Sequence, residues 1–283
     1  MGVPFKALEE FVENLQYSKM VKLKKCMDLL RLSIGEDQIK RGLRRMEWTE
    51  LGIVGSFSSM NVYEKHNEEL MEYFDNHGVI GQVMNIKWRE LLSHEQLLIS
   101  GLCKPKEPYI RFTPKRTKNE SAYDFDGYQL KLANQSIQSQ IIEWKSNKWL
   151  YNRLFDSWVI IRKRALQGLL EQEKRKEFLP VGSVSLIQSD PEISSLHVQK
   201  YLGNEPLISR GRVDMSKVKE YAARGFFSLL EIQQLQKISD VRSTYRLMEI
   251  SSERQALIVQ HWREMHYSFL SRPPQNHFFR NEM

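Results

Sequence analysis

The chain has 283 residues, of which 41% are hydrophobic and 11% aromatic, with 42 Lys and Arg against 35 Asp and Glu. That length and apolar content exclude an intrinsically disordered chain and leave room for one large domain or two modest ones. Two cysteines, Cys26 and Cys103, exclude a disulfide framework and point to a reducing compartment, and no window approaches the roughly eighteen apolar residues of a membrane span.

The first hundred residues predict short helices. Phe5, Leu8, Phe11, Val12 and Leu15 recur at helical spacing, as do Met20, Leu23, Met27, Leu30 and Ile34. Gly35 is predicted to stop the second helix, and 36–48 to form another with Ile39, Leu43 and Met46 inward and Arg44 and Arg45 outward. Residues 52–59 predict a loop or short strand. An acidic helix follows over 61–76, ended by Gly78, and Ser93-His94-Glu95-Gln96 has the form of a capping box that opens a brief helix.

Helical texture breaks at Gly101, and Pro105, Pro108 and Pro114 punctuate the next segment. Tyr109 to Thr113 alternate as a strand, and 122–125 and 128–132 flank Asp126-Gly127, the dipeptide suited to a two-residue hairpin. Together they predict an antiparallel meander over 108–132. A long helix follows, with Leu150, Leu154, Trp158, Ile161, Ala165 and Leu169 as one apolar stripe, ended by Pro180. The stretch 141–178 also carries Trp144, Trp149 and two basic triplets, Arg162-Lys163-Arg164 and Lys174-Arg175-Lys176. Residues 181–212 predict irregular structure with short extended pieces. Helices then return: 215–224 closed by Gly225, one opening at Ser228, and one opening at Ser252 with Ile258, Trp262, Met265 and Phe269 on a face.

The predicted fold is therefore mainly α-helical, with a small antiparallel β insertion at about 108–132. Its predicted organisation is an N-terminal helical lobe over 1–103, a basic β segment over 104–133, a C-terminal helical lobe over 134–271 and a flexible tail over 272–283.

Charge points to the partner. Residues 19–45 hold nine basic against three acidic residues, and 104–118 hold six against Glu107 alone. Residues 62–75 reverse the sign, with five carboxylates against Lys65. Separated basic blocks attract phosphate backbones or anionic lipid, and an acidic block can meet the basic surface of another copy. The residues expected to contact nucleic acid are Arg44 and Arg45, Lys115, Arg116 and Lys118 of the proline-flanked loop, and Arg162, Lys163 and Arg164. Lys115 to Lys118 also fit a short nuclear-import pattern. Trp144 and Trp158, fourteen residues apart, are expected in the core.

Signatures of catalysis are missing. No histidines stand four apart, no zinc spacing or glycine-rich phosphate loop occurs, and the Asp124-Phe125-Asp126-Gly127 run has Gln135 where a calcium loop needs Glu. A helix-turn-helix at 218–238 fails its register at Tyr221 and Glu231. The sequence thus predicts a non-enzymatic basic protein without cofactor or metal, binding RNA before DNA and associating with itself as nucleocapsid or matrix proteins do. Its expected compartment is the cytoplasm, with access to the nucleus. A membrane-surface variant would lay the helix from Met20 to Ile34 in an anionic interface, and the alternative class is a helical adaptor working through protein contacts.

Overall fold

The computed structural model describes residues 3–64, 67–115 and 124–270. They form twelve α-helices and eight strands, a mainly helical fold with small antiparallel sheets. In chain order the elements begin with α1 (Val3–Glu13), α2 (Gln16–Lys40), β1 (Arg45–Trp48), β2 (Ile53–Tyr63), α3 (Glu68–Asn76) and α4 (Ile80–Val83). Next come β3 (Met84–Asn85), α5 (Ser93–Ile99), β4 (Tyr109–Pro114), α6 (Phe125–Ala133), α7 (Ile137–Glu171), β5 (Lys176–Leu179) and β6 (Gly182–Ile187). The chain closes with α8 (Ser195–Leu202), α9 (Glu205–Arg210), β7 (Arg212–Val213), α10 (Met215–Ala223), α11 (Leu229–Leu235), β8 (Ile238–Glu249) and α12 (Ile250–Leu270).

These elements divide into two compact units, each drawn from separate stretches of chain. Unit 1 comprises Met1–Ser58, Glu107–Ser189 and Ser243–Ser251, and unit 2 comprises Ser59–Lys106, Asp190–Arg242 and Ser252–Met283. The contiguous lobes predicted at 1–103 and 134–271 each contribute to both units, because β6, β8 and their flanks return to partners far behind them. The predicted tail at 272–283 lies outside the described residues.

Unit 1 is organised by α7, whose 35 residues reach ~52 Å. Its buried stripe includes Ile141, Trp144, Trp158, Ala165 and Leu169. Against it α2 sets Met20, Leu23, Cys26, Leu30 and Ile34, at the spacing of one helical face. One end of this core adds Phe5, Leu8 and Phe11 of α1, with Ile110 and Val184 from the sheet ordered β4-β6-β5. The other end adds Ile53, Tyr128, Leu132 and Leu247. The α2 stripe from Met20 to Ile34 is consumed by this packing.

Four differences from the sequence reading have identifiable causes. Helix α2 runs straight through Gly35, because that glycine makes room for a neighbour: a Cβ there would sit 2.9 Å from the Tyr245 ring. Residues 45–48 are strand β1, paired with β2 from Arg45↔Ser56 to Trp48↔Ile53. The Asp126-Gly127 hairpin does not form. Asp124 instead caps α6, its Oδ1 accepting the Gly127 N–H at 2.8 Å, and the strand at 109–114 pairs with β6 from Tyr109↔Ile187 to Pro114↔Gly182. Finally, 205–210, expected among the extended pieces, is helix α9, and 238–249, where the sequence reading places no strand, is strand β8.

In unit 2 the core is centred on Phe74, Ile80, Met84, Ile99, Leu207 and Ile232, gathered from five short helices and β3. Gly78 ends the acidic helix in a left-handed conformation (φ 65°), as the sequence predicts, although the helix starts only at Glu68. The β3–β7 pair, Met84↔Val213 and Asn85↔Arg212, pins 84–85 to 212–213 and is surrounded by charged side chains.

Candidate nucleic-acid interface

The whole excess of positive charge belongs to unit 1. It holds 25 Lys and Arg against 18 Asp and Glu, whereas unit 2 holds 17 of each. Every residue the sequence singles out for nucleic acid falls in unit 1, so their mutual placement can be followed along α7.

Arg44 is exposed just ahead of β1, where its carbonyl accepts the Phe57 N–H at 2.8 Å. Arg45 is also exposed, but its guanidinium pairs with Glu47 two residues along the strand. Lys115 is exposed directly after β4, its N–H bonded to the Val181 carbonyl at 2.9 Å. Arg116 and Lys118 lie outside the described residues. The triplet on α7 is split by the helix itself, since successive side chains turn by about 100°. Arg162 points toward the core side and donates to the Ile110 carbonyl at 2.9 Å. Its charge opposes the rise that burial imposes on the neighbouring Tyr17 phenol. Lys163 and Arg164 point outward and make no ion pair among the described residues.

The predicted blocks therefore do not all converge. Strand β4 lies beside α7, with Ile110 at Arg162 and the Phe112 ring 5.7 Å from that of Trp158. Lys115 thus directly follows a strand packed on the helix that carries Lys163 and Arg164. Strand β1 instead meets the first turn of that helix, where Met46 and Trp48 line a cavity with Ile137 and Gln138. That turn lies ~37 Å along the axis from Arg162, so Arg44 and Arg45 sit at the far end. Other cations of the 19–45 block are locally neutralised: Arg31 by Asp28 at 3.2 Å and Arg41 by Asp37 at 2.7 Å. The second triplet is not helical at all. Lys174 pairs with Glu177 at 2.8 Å, and Lys176 begins β5 with its ammonium 4.3 Å from the Phe178 ring.

What the structure adds is a continuous outward stripe on α7. Taking Trp149 as the reference direction, Lys145, Arg153, Ile160, Lys163 and Arg164 all fall within about 60° of it. All are exposed, and between Lys145 and Arg164 this stripe holds four cations against one carboxylate, Asp156. Trp149 is 60% exposed, whereas Trp144 and Trp158 are each 6% exposed in the core, as their spacing predicts. Arg153, one turn on, lays its guanidinium 4.9 Å from the Trp149 ring centre. Lys145 anchors the near end by donating to the Leu51 carbonyl at 2.9 Å. The signal was present in the sequence: Trp149 stands five residues after Trp144, about 140° round the helix from it.

A second charged cluster surrounds β3–β7 in unit 2 and has a different character. Burial pushes the Glu95, Glu90 and Asp214 carboxyls upward, but their partners outweigh it and hold all three below the usual range. Glu95 accepts from Arg210 at 2.6 Å and from the Leu92 N–H at 2.7 Å. Glu90 accepts from Arg212 at 3.0 Å and the Lys87 N–H at 2.9 Å. Asp214 caps α10 and binds Asn85 at 2.9 Å. Carboxylates engaged on both sides clamp a fold; none is poised to take up or release a proton near neutral pH.

Among the described residues no group of His, Cys, Asp and Glu side chains is gathered to hold a metal ion, and no helix is long and apolar enough to cross a membrane. No protein-family model, curated protein or solved structure matches the chain.

Proposed function

We propose that the protein is a non-enzymatic, self-associating nucleic-acid-binding protein, with RNA as its first partner, that works in the cytoplasm or nucleus. The observation that supports this reading most is the outward face of α7, where Lys145, Arg153, Lys163 and Arg164 flank an exposed tryptophan on the unit that carries all the net charge. Such a face meets phosphates without reading base edges, so binding is backbone-directed and salt-sensitive. Four phosphate contacts imply a loss of about two decades of affinity between 50 and 200 mM salt. Filter binding of a 20-nucleotide RNA across that range checks this. Lys163→Glu with Arg164→Glu is expected to weaken binding about tenfold or more at 100 mM salt. Wild-type affinity in that double variant, or a flat salt profile, refutes the assignment.

Self-association is assigned to α12. None of its residues is buried, and Ile258, Trp262 and Met265 follow the four-three spacing of a coiled-coil seam, with Trp262 69% exposed. Two such faces together reach only the low end of specific interfaces, roughly 1,000 Å², so the dimer should be weak and concentration-dependent. Sedimentation equilibrium is expected to show dimer forming at tens of micromolar, and Trp262→Ala to leave monomer. A dimer undiminished by that substitution removes α12 from the interface. The same exposed seam supports the alternative reading, a helical adaptor that captures protein partners without nucleic acid. Capture that survives nuclease, together with absence of RNA binding, would favour the adaptor.

A further inference from the structure

The exposed indole on α7 calls for its own explanation. An aromatic side chain gains most from burial, and the two other tryptophans of this helix are buried. Trp149 instead stands within the cationic stripe, near its Lys145 end, about 6 Å along the axis from Lys145 and about 21 Å from Lys163. The Arg153 guanidinium 4.9 Å from its ring centre is the one stacking partner it has among the described residues, and the indole remains 60% exposed.

Resting on the nucleic-acid reading above, we propose that Trp149 and Arg153 form a stacking platform for an unpaired base, which gives the α7 face a preference for single strands over duplexes. The chemistry favours this over a phosphate-only groove. Every base offers a π-face, so a planar indole backed by a guanidinium accepts any of them without sequence preference. In a duplex those faces are already stacked on their neighbours and are closed to a side chain approaching from outside. A duplex could therefore use Lys145, Lys163 and Arg164 but not Trp149. The stripe from Lys145 to Arg164 extends ~28 Å, and the footprint of a short single-stranded segment, about 4–5 nucleotides, fits it. One carboxylate, Asp156, lies within that length, and the surplus of cations distinguishes this face from an apolar hot spot suited to a neutral protein partner.

The test is fluorescence anisotropy of the full chain with a labelled 12-nucleotide oligouridine and with a 12-base-pair duplex, both at 100 mM salt. The single strand is expected to bind more tightly. Trp149→Ala should weaken it about tenfold and leave duplex binding within twofold, while Trp149→Phe should keep most of the single-strand affinity. Because the indole is exposed, both variants should show wild-type circular dichroism. Equal losses on strand and duplex, or no loss on either, overturn the platform while leaving backbone binding in place. If the wild-type chain binds neither probe, the nucleic-acid reading itself falls, and Trp149 with Arg153 is left to a protein partner.

Discussion

Replacement of Glu95 by Ala is expected to remove about 3 kcal/mol from unit 2, seen as a lower urea midpoint for probes in that unit. The Glu95 side chain is 10% exposed and that of Arg210 25%, so removing one partner strands a largely desolvated guanidinium. The Arg210 Nε is already buried without a hydrogen bond, which leaves the carboxylate as the contact that compensates the charge. The Leu92 N–H at the start of α5 also loses its acceptor. Glu95→Gln should be milder, because it keeps an oxygen for one of these donors. The pH dependence follows from the same geometry. Glu90, Glu95 and Asp214 all titrate lower when folded than unfolded. Their contribution is therefore complete above about pH 5 and is lost as acid carries the solution through the unfolded carboxylate range, near pH 4, toward the lower native values. Unit 2 should therefore lose stability in acid, and Glu95→Ala should flatten that acid limb. A unit 2 transition indifferent to pH between 3 and 6 contradicts the clamp.

Gly55→Ala is the second large effect, expected at about 2–3 kcal/mol in unit 1. A Cβ at this position would lie 2.1 Å from the Tyr245 hydroxyl and 2.7 Å from the Gln38 side-chain oxygen. Those two atoms are themselves hydrogen-bonded at 3.0 Å, and the Gln38 amide also donates to the Gly55 carbonyl at 3.2 Å and the Leu43 carbonyl at 3.1 Å. Nothing there can retreat without breaking a buried bond. Burial raises the Tyr245 phenol far above its ordinary range, with Asp37 adding to the effect. A neutral hydroxyl thus faces α2 near neutral pH. Tyr245→Phe alone should cost about 1–3 kcal/mol by leaving the Gln38 oxygen unpaired. Combined with Gly55→Ala it should recover part of the loss, because the nearest ring atom is then 3.0 Å away. Strict additivity of the two substitutions in thermal unfolding would show that the hydroxyl and the methyl do not compete for this space.

How much was legible beforehand can be judged residue by residue. Apolar periodicity identified the buried faces of α1, α2 and α7, and it placed Trp144 and Trp158 in the core, because helical burial repeats locally and visibly. Gly35 misled, since a glycine that admits a distant ring looks the same in sequence as one that stops a helix. Asp126-Gly127 misled for a related reason: Asp124, two residues earlier, claims the Gly127 amide as a cap, and capping and hairpin chemistry draw on the same residues. Strand β8 was missed because its partner, β2, lies nearly two hundred residues away, and such pairing leaves only weak local traces. At the site, the sign of the charge was readable but its direction was not. Arg162 falls within about 40° of Trp158 and about 20° of Leu169 around the helix, so the first residue of an apparently uniform basic triplet is turned inward.

The placement of Tyr245 has a consequence for how the chain is made. Unit 1 is closed by residues 243–251, which leave the ribosome after more than two hundred others, while the slot beside Gly35 and Gly55 has been waiting since the first quarter of synthesis. Unit 2 likewise draws on chain emerging before and after the α7 segment. Neither body can mature in the usual N-terminal-first order, and loop closure over such separations slows assembly. A nascent protein truncated before Ser243 would present α2 with its tyrosine socket empty, and the Gln38 amide oxygen would have only water to accept from.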